Sequence, residues 1–212
     1  MDRSRKFENE RLIIKDSEEA RAEVAATIRR GGVIAFRTDT LYGLGADPLN
    51  RDAILKIRKL KGREDDKPIL LLVSDEKEVA RFIEDSSRQK MAAIGRWPAP
   101  LTLIGVAKPE VPNELTAGTG SLGVRLPDDE DLRALVRICG GALTATSANP
   151  SGQSPARNAQ EVFEYFHAGL DLILDGGEIN DDQPSTVVDL TGDQPKLVRE
   201  GAISRRELAD VL

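Results

Sequence analysis

The sequence predicts an α/β protein built around a mixed sheet. Short apolar runs suited to strands alternate with segments of helical periodicity, and in the later part of the chain such runs come closer together without helices between them. At 212 residues the chain fits one domain, or a domain with a small appendage, and is long enough to bury a substantial core. No internal repeat, low-complexity tract or interdomain linker interrupts it. The reading is a flexible N-terminal segment over 1–11, polar and carrying both charge signs, followed by a single domain over 12–212.

Taken in order, strand-like runs occur at Leu12 to Ile14, Val33 to Phe36, Ile69 to Val73, Leu101 to Val106, Leu122 to Leu126, Ala142 to Ala145, Leu172 to Leu174 and Thr186 to Leu190. The first helix is expected to begin at Asp16, with Glu19 three residues later as in a capping box. It presents Ala20, Val24 and Ile28 on one face and stops at Gly31-Gly32. Asn50, Asp75, Asp128 and Asn158 read as further N-caps, and Ser204 with Glu207 as the capping box of a short C-terminal helix. Pro109 to Gly120 is the least patterned stretch and reads as a mobile loop able to cover a site.

Composition excludes several classes of function. No apolar run approaches the roughly 18 residues of a membrane-spanning helix, and the N-terminus lacks the apolar core of a signal peptide; a soluble, cytoplasmic protein is expected. Cys139 is the only cysteine, so no internal disulfide can form, and its apolar neighbours at helical spacing read as a packed thiol. His167 is the only histidine, which excludes His-rich zinc sites and leaves little room for a nucleophile paired with histidine. The net charge of -6 argues against a broad basic surface for nucleic acid.

Three segments carry the candidate chemistry. Thr38-Asp39-Thr40-Leu41-Tyr42-Gly43-Leu44-Gly45 follows an apolar strand directly, where an α/β sheet presents a crevice, and its hydroxyls can orient a small polar ligand. A strand-to-helix loop whose glycines only relieve backbone strain has the same composition. It is neither a Walker phosphate loop nor a Rossmann glycine pattern. Lys59, Lys61, Arg63 and Lys67 gather where the second helix ends at Gly62, a cluster able to neutralise a polyphosphate or simply to favour a helix terminus. Thr144 to Gly152 includes Ser147 and Asn149 and is dense in hydroxyl and amide groups that suit phosphate oxygens, or a turn. Ser121 and Arg125 flank one strand, and Ser185 precedes another.

In this order, TDTLYGLG, KLKGREDDKP, PAPLT, SLGVRLP, TSANPSG, STVVDL and LVREGAIS closely resemble the YrdC-like threonylcarbamoyl-adenylate synthase family, over nearly the whole chain after residue 12. The resemblance implies a twisted mixed sheet with flanking helices around a positively lined cavity. It also implies a nucleotidyl transfer in which L-threonine, bicarbonate and ATP, with Mg2+, give threonylcarbamoyl-AMP and pyrophosphate. A separate tRNA threonylcarbamoyl transferase complex would receive the product and modify tRNA beside the anticodon. By motif, Thr40 contacts threonine, and Lys61, Arg63 and Lys67 face the ATP phosphates. Ser147 and Asn149 complete the nucleotide site, while Ser121 and Arg125 line the same cavity. Ser185 encloses threonine and Arg199 the nucleotide. The metal ligands are not assigned.

The sequence departs from the family pattern at Arg37, where a proline commonly stands, at Ala99 within Pro-Ala-Pro, and at Glu200. Arg37 adds a cation beside the threonine loop, which either binds substrate carboxylate or points to solvent. The chain ends soon after LVREGAIS and so resembles the short, single-domain form. The expected chemistry needs no protein nucleophile: a carbamate oxygen attacks the ATP α-phosphorus, and the enzyme contributes positioning and charge. Two rivals are a non-catalytic RNA-binding module using the same basic cavity, which the acidic net charge weakens, and a sugar-phosphate lyase of the dihydroxybutanone-phosphate synthase kind, which would need a catalytic histidine and acidic metal ligands.

Overall fold

Ten short strands pair into one sheet in the order β1-β8-β2-β3-β7-β4-β6-β5-β9-β10. They are β1 (Ile13–Lys15), β2 (Ile34–Arg37), β3 (Tyr42–Gly45), β4 (Leu70–Val73), β5 (Leu101–Val106), β6 (Ser121–Arg125), β7 (Ala142–Ser147), β8 (Leu172–Asp175), β9 (Thr186–Asp189) and β10 (Lys196–Arg199). This computed structural model describes residues 12–62, 67–179 and 183–212; the segment over 1–11 lies outside them. The sheet is mixed, as the spacing of strands and helices implied. The pairs β1/β8, β2/β8, β4/β6 and β5/β9 are parallel, and β2/β3, β3/β7, β4/β7, β5/β6 and β9/β10 antiparallel.

Side-chain alternation along the strands divides the core between the two faces. Helices α1 (Glu18–Arg29) and α5 (Glu130–Ile138) cover one face, where Val24, Ile28, Leu132 and Leu135 pack on Ile34, Phe36, Leu143 and Leu172. Val33, Ala35, Leu71 and Val73 point the other way and meet Ile54 and Ile57 of α2 (Arg51–Leu60) and Phe163 and Phe166 of α6 (Ala159–Phe166). Helix α3 (Asp85–Ile94) adds Met91 and Ile94 to this second core.

The N-caps at Asn50, Asp75 and Asn158 stand as expected, each side chain accepting a backbone N–H of the first turn. Two others move by one residue. Ser17, not Asp16, caps α1 by accepting from Ala20, because Asp16 is drawn into an ion pair with Arg21. Asp129, not Asp128, caps α5 by accepting from Leu132. Ser204 and Glu207 do bond reciprocally, but the chain there forms turns rather than a helix.

Two strands escaped the sequence reading. Tyr42–Gly45, taken as loop, is β3, the hairpin partner of β2. Its glycines depress strand propensity, yet Phe36 requires one of them: a Cβ at Gly45 would stand 2.6 Å from the Phe36 ring. Strand β10 is an edge strand with three of its four residues exposed, so it lacks the apolar alternation that marks a strand. The stretch from Pro109 to Gly120 is also no cover for a site. It contains a helical turn, α4 (Asn113–Thr116), with Leu115 fully buried, its carbonyl accepting from Ile69 N, and Glu114 paired with Arg51.

Candidate active site

The turn from β2 to β3 is tied together by one hydroxyl. Thr38 Oγ1 donates to the Leu41 carbonyl at 2.6 Å and accepts from the Leu41 and Thr40 N–H groups at 3.0 and 3.2 Å. With the turn fixed, the side chains of Asp39 and Thr40 both reach Arg125 at the end of β6. Arg125 Nη1 donates to Thr40 Oγ1 at 3.2 Å, and Nη2 lies 2.9 Å from Asp39 Oδ1. Arg125 is only 2% exposed. Burial raises the Asp39 carboxyl against the pull of Arg125, and burial lowers the Arg125 guanidinium, with nearby Arg199 adding to the effect.

The second cluster joins two motifs that lie far apart in sequence. Lys61, the C-cap of α2, is 3% exposed and donates from Nζ to the Ser147 carbonyl at 2.5 Å and to Ser147 Oγ at 3.3 Å. The Lys61 carbonyl in turn accepts from Ser151 N at 3.0 Å. Asn149 shapes the same turn: its Nδ2 donates to the carbonyls of Pro150 and Gln153 at 3.0 and 2.7 Å. Its buried Oδ1 has no hydrogen-bond partner. Arg63 lies outside the described residues.

A third wall comes from β9, β10 and the segment after them. Arg199 donates to the Ser185 carbonyl from Nε and Nη2, at 3.2 and 2.8 Å, while Ser185 Oγ shares a hydrogen bond of 2.9 Å with Thr102 Oγ1 on β5. Thr186 Oγ1 binds the following segment, accepting from Gly201 N and Ile203 N and donating to the Ile203 carbonyl. The fit is close enough that a Cβ at Gly201 would lie 2.1 Å from the Pro184 carbonyl oxygen.

Thr40, Lys67, Arg125, Ser147, Ser185 and Arg199 line one cavity of about 290 Å3. Six inter-strand steps separate β3 from β10, roughly 29 Å in a flat sheet. The sheet therefore curls, so that strands distant in its order face each other across the cavity. Lys61 and Asn149 stand behind Ser147 rather than on the lining. Ser121 lies at the other end of β6 from Arg125, roughly 13 Å along an extended strand, where its hydroxyl meets Thr119 Oγ1 at 3.0 Å. Arg37 faces a different crevice, with Asp16, Arg21, Asp129 and Asp131, so the added cation does not enter the cavity. Glu200 accepts from Arg205 N and Ala99 is buried; neither alters the lining.

A larger cavity, about 1060 Å3, opens between α1 and α5. Its walls are alanines and Ile138 rimmed by charges of both signs, Asp16, Glu18 and Asp175 beside Lys15, Arg21 and Arg29, with Ser17 in place of the several converging hydroxyls of the smaller one, so chemistry rather than size decides the site. Cys139 is buried, and its thiol is pushed up to about 12 by burial, which makes it unreactive. His167 caps α6 with Nδ1 3.1 Å from the Phe163 carbonyl and takes no part in the site. Asp39 and Thr102 were not foreseen as site residues. Asp39 had a signal, a lone carboxylate between two threonines at a strand end; Thr102 had none.

Residues 26–201 match the Sua5/YciO/YrdC family, whose description reads "Telomere recombination". The chain belongs to this family. A relative from Idiomarina loihiensis, named threonylcarbamoyl-AMP synthase, is 38% identical over 164 residues, which is 74% of this chain and 88% of the relative. One of the same name from Pyrococcus abyssi is 34% identical over 92% of this chain, which spans 58% of that relative's length. Among solved structures, Pyrococcus abyssi Sua5 complexed with L-threonine superposes with a TM-score of 0.86 at 32% identity, over 95% of this chain and 60% of its own. The mixed sheet and its flanking helices are thus those of the Sua5/YciO/YrdC fold. No helix among the described residues is long and apolar enough to cross a membrane.

Proposed function

We propose that this chain is a threonylcarbamoyl-AMP synthase, a nucleotidyltransferase that joins L-threonine, bicarbonate and ATP with release of pyrophosphate. The observation that carries the reading is the convergence of Thr40, Arg125, Ser147, Ser185 and Arg199, from five separate motifs, on one cavity. The threonylcarbamoyl-AMP synthase relatives and the threonine-bound Sua5 support it. Residues 12–212 act as one catalytic domain. The working place is the cytoplasm, and the product passes to a separate transferase complex that modifies tRNA.

In the reaction, the threonine amine combines with bicarbonate and loses water to give a carbamate. A carbamate oxygen then forms a bond to the ATP α-phosphorus as the bond to the pyrophosphate oxygen breaks. No group of the protein becomes covalently attached. The protein holds an anionic, hydrolysis-prone carbamate next to an anionic nucleotide, so its work is positioning, water exclusion and charge balance. Thr40 and Ser185 supply hydroxyls for threonine, and Arg125 supplies the buried cation on that side. Lys67 and Arg199 face the nucleotide together with Ser147, whose position Lys61 and Asn149 hold from behind. Arg63 joins the phosphate side by resemblance. Ser121, bonded to Thr119 at the far end of β6, joins the nucleotide side by resemblance.

Magnesium fits as a companion of the nucleotide. Mg2+ keeps several waters and is held by phosphates with one or two protein oxygens. The described residues offer no group of three ligating His, Cys, Asp or Glu side chains, and Asp39 is committed to Arg125. Bound with ATP, magnesium would supply charge neutralisation at the phosphates. The test is pyrophosphate release with ATP and magnesium while threonine and bicarbonate are omitted in turn. Release that requires both, with threonylcarbamoyl-AMP identified by mass spectrometry, is the expected outcome; release independent of both overturns the reading.

A further inference from the structure

Arg125 is buried, yet its charge contacts are incomplete. Asp39 Oδ1 lies 2.9 Å from Nη2, within ion-pair distance, but among the described residues no N–H is aligned on that oxygen to make a hydrogen bond, and Arg125 Nε likewise has no partner among them. Such a pair is expensive to keep for stability alone. Desolvating two charges costs about as much as their attraction returns, and here burial drives both partners toward their neutral forms against that attraction. Arg125 lines the cavity with Asp39 directly behind it, and neither belongs to an apolar core. Asp39 and Thr40 hold two different nitrogens of one guanidinium, and Thr38 fixes the turn that carries them. Rotation of the guanidinium would have to break both contacts.

We propose that Asp39 is a positioning residue that fixes the orientation in which the Arg125 guanidinium meets the amino-acid substrate. This rests on the synthase reading given above. Asp39 does not line the cavity and need not touch substrate. Its carboxylate offsets one of the two arginine charges that otherwise face each other at this end of the site, since Arg199 disfavours the charged form of Arg125. With Asp39 in place, the substrate meets an arginine already oriented. Without it, binding the substrate must itself order that arginine.

The experiment measures initial rates of pyrophosphate release by the full chain, varying L-threonine at saturating ATP and bicarbonate, then ATP at saturating threonine. Thermal melts of each variant accompany the rates. Asp39→Asn is expected to lower kcat/KM for threonine by about 100-fold, the scale of an ångström-sized misplacement, while KM for ATP stays within about threefold. Asp39→Glu keeps the charge but shifts it by a methylene, and is expected to recover all but about tenfold of the threonine effect. An Asp39→Asn enzyme with threonine kcat/KM within about threefold of the original, or one losing threonine and ATP efficiency alike, overturns the proposal. Should Asp39→Asn fail to fold, Asp39→Glu decides: a raised threonine KM at an unchanged melting temperature supports positioning, and an unchanged KM overturns it. The unaltered chain is the control for the synthase reading. If it releases no pyrophosphate with all substrates present, that reading fails and takes the positioning role with it; if it does, only the role of Asp39 is at stake.

Discussion

Two of the three walls of the cavity are built by opposite means. The wall formed by Thr38 to Thr40 and Arg125 belongs to inner strands of the sheet, is buried, and is cross-linked by hydroxyl and charge contacts over a turn of four residues. The facing wall, Ser185 and Arg199, hangs on the outermost pair β9 and β10, where Val198 is 55% exposed and Arg199 is held by the carbonyl and hydroxyl of a single residue, Ser185. One wall is set before any ligand arrives, whereas the other can adjust to it. Edge strands with few buried contacts open at lower cost than central ones. On the reading proposed above, threonine would then be gripped by Thr40 and Arg125 of the rigid side and by Ser185 of the other, and the nucleotide would meet the more adjustable Arg199.

Removing the central residue of the rigid wall should have the largest effect. Arg125→Ala leaves the Asp39 carboxylate buried without its counter-charge, a loss of about 3–5 kcal/mol, read as a fall in unfolding free energy by denaturant titration. Threonine-dependent pyrophosphate release should be abolished in whatever fraction folds. If the variant instead matches the original in both, the wall is not the rigid one.

On the edge side the sharpest test is steric. A methyl group at Gly201 meets the Pro184 carbonyl at 2.1 Å, and overpacking of this kind costs about 1–3 kcal/mol. For a chain of this length each kcal/mol lowers the melting temperature by about 2–4 °C, measurable by scanning calorimetry on Gly201→Ala. Activity should fall with the displaced wall more than the melting temperature alone explains.

Thr102→Val removes the partner of Ser185 Oγ without changing shape. Loss of one such hydrogen bond is worth about 1 kcal/mol, which should appear as a threonine KM raised by about fivefold at nearly constant ATP KM. An equal rise in both constants would detach Ser185 from threonine. The smallest effect needs no substitution. Amides of β9 and β10 should exchange with deuterium faster than those of β4 and β7, and saturating ATP should slow the former more. Uniform exchange across the sheet would erase the contrast between the walls.

How legible this was in the sequence depended on the type of signal. The apolar strands over Val33 to Phe36 and Ile69 to Val73 were readable because burial on both faces imposes an uninterrupted apolar run. Strand β3 was not, because packing against Phe36 demands glycine where strand propensity would demand a branched side chain. Motif chemistry located Thr40, Arg125, Ser147, Ser185 and Arg199, yet nothing along the chain showed that Lys61 would turn inward to Ser147 rather than outward to the cavity. Ser121 was named by resemblance, and it stands at the opposite end of β6 from Arg125, a separation that the motif alone does not show. Asp39 and Thr102 gain meaning only from partners 86 and 83 residues away, contacts that no local pattern encodes.

The curl of the sheet has a consequence for the chain during its own synthesis. The first wall is specified by residues near 40, but the cavity is closed by Ser185 and Arg199, which leave the ribosome late. An emerging chain can therefore pair its inner strands while possessing no place to retain a labile carbamate. If the chain is the synthase proposed above, a nascent or truncated chain ending before β9 is expected to be silent rather than wasteful of ATP.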